Sequence, residues 1–201
     1  MRLYIGSAAL LSALAIVFGL EVAMGVTAND AGLISIGALP DTAQLNGEYW
    51  RVLSFGFLHW DLAHLLLNSG LLLAAGPIAE HRIGALRLLL VFMASSALSG
   101  IGILLKHLLW PGLGASVGAS GGMFGLLGLA LALLFCAPPR KPLVRYALLA
   151  VAVFAFSYSV LPGISMVGHV VGFTAGVAIG LAISRVRPNN FFKPKPLRGS
   201  A

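Results

Sequence analysis

The chain has 201 residues, 59% hydrophobic and only 9% charged, with a mean hydropathy of +0.96 and a formal net charge of +7. So few charges cannot clothe a soluble globule of this size, and a lone cysteine, Cys136, excludes an internal disulfide framework. The composition is that of an integral membrane protein, whose positive balance reports topology and anionic lipid rather than nucleic acid.

Apolar stretches of about 20 residues predict six membrane segments: Leu3–Val26, Leu62–Ala79, Ile83–Leu105, Gly118–Ala137, Leu143–Leu161 and Met166–Ile183. The first begins Met1-Arg2 and ends near "VTA", like a signal peptide, yet its apolar run exceeds a signal core and predicts a retained helix. Glu21, near its outer end, is expected to reach the interface. One long connection follows, about Thr27–Trp60, with Trp50 and Arg51 as interfacial anchors or structural residues of that loop. Eleven of the thirteen Lys and Arg residues fall on one side of such a bundle, and only Arg51 and Lys106 on the other. Six helices with both termini cytoplasmic and the first loop outside satisfy that split. The expected organisation is one domain over 1–185, followed by a basic cytoplasmic tail over 186–201 that is Pro-rich and disordered. His81 and His107, beside charges at loop edges, are expected to be solvated.

In the second segment His64 and Asn68, spaced i and i+4, lie one turn apart on a common face. Polar side chains at membrane depth are costly and mark function. The fourth segment opens on "GASVGASGG", with Ser120 at the helix start, Ser116 before it, and Gly125 and Gly128 each within about 40° of Gly121. The connection "SYSVLPGIS" before the sixth segment suits a small lid. In the sixth, glycines recur at 168, 172, 176 and 180, and His169 falls within about 20° of Gly176 and Gly180. Small residues at this spacing let two helices approach backbone to backbone. If segments four and six pack on these faces, Ser120 and His169 meet.

A serine hydroxyl becomes a strong nucleophile when a base takes its proton, which a neutral imidazole does well. No carboxylate lies in or near the sixth segment, so the expectation is a Ser120–His169 dyad, with Phe124 stacking on the imidazole to orient it. The Ser120 backbone N–H, the Asn68 amide and the His64 ring N–H are the candidate oxyanion donors. Helix capping by Ser120 and interhelical bonding by His64 and Asn68 are the purely structural alternatives. A transporter would show internal repeats or interrupted helices, and a metalloprotease a motif such as HExxH; neither is visible, and no metal or other cofactor is implied.

"GASG" (118–121), "HWDLAHLLLN" (59–68), Trp50-Arg51 and "GHVVGFTAG" (168–176), in this order and register, resemble the rhomboid intramembrane serine proteases over nearly all of 45–183. The resemblance implies an all-α bundle of six membrane helices in a multi-pass protein, here expected in a prokaryotic cytoplasmic membrane. It implies Ser120 as nucleophile, His169 as general base, and His64 with Asn68 as oxyanion ligands. His59 becomes a structural residue near the first loop, and Gly118, Gly172 and Gly176 close-packing glycines beside Gly121. Its substrates are membrane-anchored proteins cut in or near a transmembrane segment. Phe124 stands where many members carry tyrosine. A rhombosortase-type role in processing C-terminal anchors, or an inactive rhomboid-like chaperone, would share the fold.

Overall fold

The computed structural model describes residues 4–111, 114–138 and 141–186; nearly all of the expected basic tail lies outside the described residues. Eight α-helices occur among them: α1 (Ile5–Ala23), α2 (Asp30–Ile36), α3 (Arg51–Ser54), α4 (Leu62–Ile83), α5 (Ala85–Leu109), α6 (Ser120–Cys136), α7 (Pro142–Tyr158) and α8 (Met166–Val186). Of these, α1, α4, α5 and α8 are long and apolar enough to cross a membrane. The two other apolar helices, α6 and α7, have 17 residues each, about 26 Å at 1.5 Å per residue, against a hydrocarbon core of about 30 Å.

Helix α6 is the axis of the molecule. Every residue from Gly121 to Leu134 is buried, as expected of a helix apolar on all sides. Around it, α1, α4, α5 and α7 turn large side chains such as Ile16, Leu66, Leu90 and Val153 outward. In water such a surface would be a liability; in lipid it is solvated.

Glycine sets the distance between α6 and α8, the most extensively packed pair. A Cβ on Gly172 would collide with the Gly121 carbonyl oxygen, one on Gly176 with that of Gly125, and one on Gly128 with that of Phe173. The two backbones therefore touch without intervening side chains. Helix α5 completes a three-helix core by inserting small polar residues where those glycines leave room. Ser95 fills the space beside Gly125, and Ser99 that beside both Gly121 and Gly168. Both serines are almost fully buried.

Two buried carboxylates tie α1 to the rest. Glu80, near the end of α4, accepts the backbone N–H groups of Gly6 and Ser7 and the Ser7 hydroxyl, each at 2.8 Å, and so satisfies donors that the start of α1 leaves without intrahelical partners. At the other end Glu21 accepts the His59 backbone N–H at 3.1 and 3.2 Å. Glu21 is only 1% exposed, so the expectation that it reaches the interface is corrected: the chain folds back over it just before α4. The expected solvation of His107 is also corrected. The helix bearing it runs on to Leu109, and the first-loop segment carrying Pro40 and Asp41 closes over the ring, leaving it 2% exposed.

The long first connection is structured. Asn29 caps α2 by accepting the Gly32 N–H at 3.2 Å. The Arg51 guanidinium is buried and donates to the Ile34 and Ala38 carbonyls at 2.6 and 3.0 Å while forking onto Glu48 at 2.9 and 2.7 Å. It also lies 4.7 Å from the centre of the half-exposed Trp50 ring. Arg51 thus organises loop carbonyls instead of extending toward headgroups.

Gly176→Val is expected to lower stability in detergent by about 3 kcal/mol, the upper end for overpacking a filled core. Gly19→Ala on exposed α1, where nothing lies within 4 Å of an added Cβ, should stay within about 0.5 kcal/mol. Thermal or denaturant unfolding of the two variants checks the contrast, and equal effects would count against the backbone contact.

Candidate active site

The approach to α6 is sewn to the first loop. Leu39 and Ser116 exchange backbone hydrogen bonds at 3.0 and 2.7 Å, and the Gly118 N–H donates to the Phe55 carbonyl at 3.0 Å. Gly118 then turns the chain into the helix with φ +132°, a region that disfavours side chains. A Cβ there would sit 2.7 Å from His64 Cε1, so the absent side chain also makes room for that ring.

Ser120 is the first residue of α6, and no side chain caps the helix start. Its neighbours differ: Asp61 caps α4 by accepting the His64 N–H at 2.7 Å, and Ser165 accepts the Gly168 N–H at 3.3 Å at the start of α8. The first N–H groups of α6 thus keep their hydrogen-bonding capacity for a ligand. With α6 and α8 in backbone contact, the first turn of α8 brings His169 Nε2 to 2.8 Å from Ser120 Oγ. The imidazole lies flat on Phe124, with ring centres 4.2 Å apart and planes 7° from parallel. Phe124 is held in turn by an edge contact with Phe156 at 4.8 Å.

Across the cavity, His64 and Asn68 present the common face of α4. Asn68 is buried, and its Nδ2 has no protein acceptor among the described residues. His59 makes an edge-to-face contact with His64, ring centres 5.2 Å apart. It is fully buried, and burial with His64 alongside holds its pKa down at about 3, so it stays neutral at physiological pH. The cavity has a volume of about 740 Å³ and is lined by His64, Asn68, Gly118, Ser120, Phe124 and His169 at its polar end. Its other walls are apolar, from Leu67, Leu71 and Ala74 of α4 and Val151, Phe154 and Ala155 of α7. Leu161, Pro162 and Gly163, from the connection expected to act as a lid, form part of its rim.

Ser116 also lines the cavity, but its backbone is committed to the bridge with Leu39, and among the described residues the histidine that meets a serine on α6 meets Ser120 instead. Trp50 and Arg51 lie in the first loop and do not line the cavity. Gly121, Gly172 and Gly176 act from behind by setting the helix separation.

One contact to the imidazole comes from a residue that no local pattern in the sequence marks. Ser159, the residue ending α7, places its Oγ 2.6 Å from His169 Nδ1. Both Ser157 and Ser159 stand at the end of an apolar run, and only the tertiary fold, which turns Ser159 toward His169, distinguishes them. The arrangement as a whole is a hydroxyl at hydrogen-bond distance from Nε2 of a stacked, buried imidazole, with uncommitted donors nearby. Such a group is fitted to attack a carbonyl and to stabilise the oxyanion that results.

A sequence model described as the rhomboid domain matches residues 46–186. RHOMBOID-like protein 4 of Arabidopsis thaliana is 33% identical over 145 residues, covering 71% of this chain and 36% of its own length. Rhomboid protease GluP of Bacillus subtilis is 33% identical over 173 residues, covering 82% of this chain and 32% of its own. Putative rhomboid protease YdcA of the same organism is 32% identical over 136 residues, covering 65% of each chain. The chain thus spans between about a third and two thirds of the length of these relatives.

Arg51→Lys keeps the charge but loses the planar fork that holds Glu48 and two carbonyls together. Limited proteolysis in detergent should nick the 37–50 segment several-fold faster in this variant. An unchanged rate there would mean that the guanidinium does not organise the loop.

Proposed function

The chain belongs to the rhomboid family, and from that premise we propose that it is a serine-type endopeptidase cutting membrane-anchored proteins in or near a transmembrane segment through Ser120 and His169. It is a multi-pass integral membrane protein. In our reading all six apolar helices span the bilayer, with both termini cytoplasmic and the Ser120 end of α6 outside. The distribution of basic residues supports that orientation. Residues 1–185 form the protease domain in this reading.

The single observation that carries the proposal is the 2.8 Å contact between His169 Nε2 and Ser120 Oγ on an imidazole fixed by Phe124. The hydroxyl proton passes to Nε2 as the oxygen attacks the scissile carbonyl. The oxyanion that forms is received by the Ser120 backbone N–H, the Asn68 amide and the His64 ring N–H. The imidazolium returns its proton to the departing amine, and water then resolves the acyl-enzyme with the same base. The apolar walls between α4 and α7 suit an aliphatic substrate segment, while the polar end offers water and hydrogen bonds to an unwound stretch of backbone.

Labelling by a fluorophosphonate probe in detergent tests the nucleophile. Wild type and Ser116→Ala are expected to label, while Ser120→Ala and His169→Ala are not; labelling that survives in Ser120→Ala would overturn the assignment. Asn68→Ala should fold normally and cleave a model transmembrane substrate about a hundredfold more slowly, the typical cost of one oxyanion donor. Unchanged turnover would remove Asn68 from that role.

A further inference from the structure

We propose that Ser159 is a positioning residue that fixes the tautomer of His169, doing with a hydroxyl what a carboxylate does in a three-residue catalytic system. The inference rests on the dyad reading above. Ser159 is 2% exposed at the end of α7. Its Oγ lies 2.7 Å from the Ala155 carbonyl oxygen and 2.6 Å from His169 Nδ1.

A hydroxyl has one proton to give and two lone pairs with which to accept. The Ala155 carbonyl can only accept, so the Ser159 proton is committed to it. A lone pair of Oγ then remains for Nδ1, which must carry the ring proton. Nε2 is thereby left unprotonated and faces the Ser120 hydroxyl at 2.8 Å, the state a general base requires. The opposite assignment fails on two counts. A Ser159 proton aimed at Nδ1 would leave two bare oxygens 2.7 Å apart, and the Nε2–H it implies would oppose proton transfer from Ser120.

Among the described residues no other group hydrogen-bonds Nδ1. The ring is faced by Ser120 and Phe124 from α6, Ser159 from α7 and, further off, His64 from α4. As the proton arrives at Nε2, the Nδ1–H bond becomes charge-assisted and strengthens. Its acceptor is already polarised by donating to a carbonyl. Phe124 fixes the plane of the ring, and Ser159 fixes its rotation within that plane and its protonation state. Because the acceptor is neutral, no second charge has to be buried at membrane depth.

The test uses the full chain in detergent with ring-¹⁵N histidine, the His169 signals being assigned by their loss in His169→Gln. Wild type should show a pyrrole-type Nδ1 and a pyridine-type Nε2. Ser159→Ala should shift both toward the opposite tautomer and lower kcat on a model transmembrane substrate about 10- to 100-fold, the range for one hydrogen bond to a charged group. KM should stay within twofold, and Ser159→Thr should restore part of the rate. A wild-type His169 protonated at Nε2 would overturn the proposal whether or not the variants fold, as would Ser159→Ala turning over at the wild-type rate. If Ser120→Ala and His169→Gln themselves keep full activity, the dyad reading falls; if they are inactive while Ser159→Ala is not, only the positioning role falls.

Discussion

Direct backbone contact between α6 and α8 is the constraint from which the site follows. Two helices separated by ordinary side chains run 8–10 Å apart, axis to axis. Here Gly121, Gly125 and Gly128 on one helix meet Gly172 and Gly176 on the other, so that carbonyl oxygens stand where Cβ atoms would otherwise be. Closeness of this kind is what short side chains such as serine need in order to meet a histidine across a helix pair. In a membrane the contact cannot rely on expelling water, since lipid tails are as apolar as the protein, and close packing with weak polar contacts takes over. The serines of α5 serve the same end from a third direction.

The polar groups of the site are distributed so that none shares an element with the partner it must reach. Ser120 comes from α6, His169 from α8, Ser159 from α7, and His64 with Asn68 from α4. Local devices hold three of these elements: Asp61 caps α4, Ser165 caps α8, and Ser116 and Gly118 ahead of α6 hydrogen-bond to the first loop. Unlike those of α4 and α8, the start of α6 lacks a side-chain cap, which leaves its dipole and N–H groups facing the cavity. Pre-set donors of this kind need no rearrangement when charge develops, and in a partly dry pocket they act more strongly than they would in water.

Hydropathy made the long apolar helices legible in the sequence, and 100° phasing placed His64 with Asn68 and His169 with its glycines on common faces. Those features are local, set by composition and helix period. What escaped was long-range. Nothing near Glu21 signals that the chain returns at His59 to bury it, and nothing near His107 signals that Pro40 and Asp41 close over it. Ser159 could not be told from Ser157 without knowing which of the two meets His169. Nothing near Ser95 or Ser99 signals the glycine notches that they fill. The first connection carried turn residues and acids, but its order comes from Arg51 reaching carbonyls 13 and 17 positions away.

Glu80 bears on how freely the first helix can be separated from the rest. The rhomboid match covers residues 46–186, leaving α1 outside it, yet the carboxylate on α4 takes three hydrogen bonds from the beginning of α1. Stripped of those donors it would be an acidic group stranded against lipid, a far dearer loss than the missing leucine contacts. Deleting the helix would therefore demand a compensating change at position 80. The N-terminal rod is fastened to the bundle by electrostatics as much as by shape.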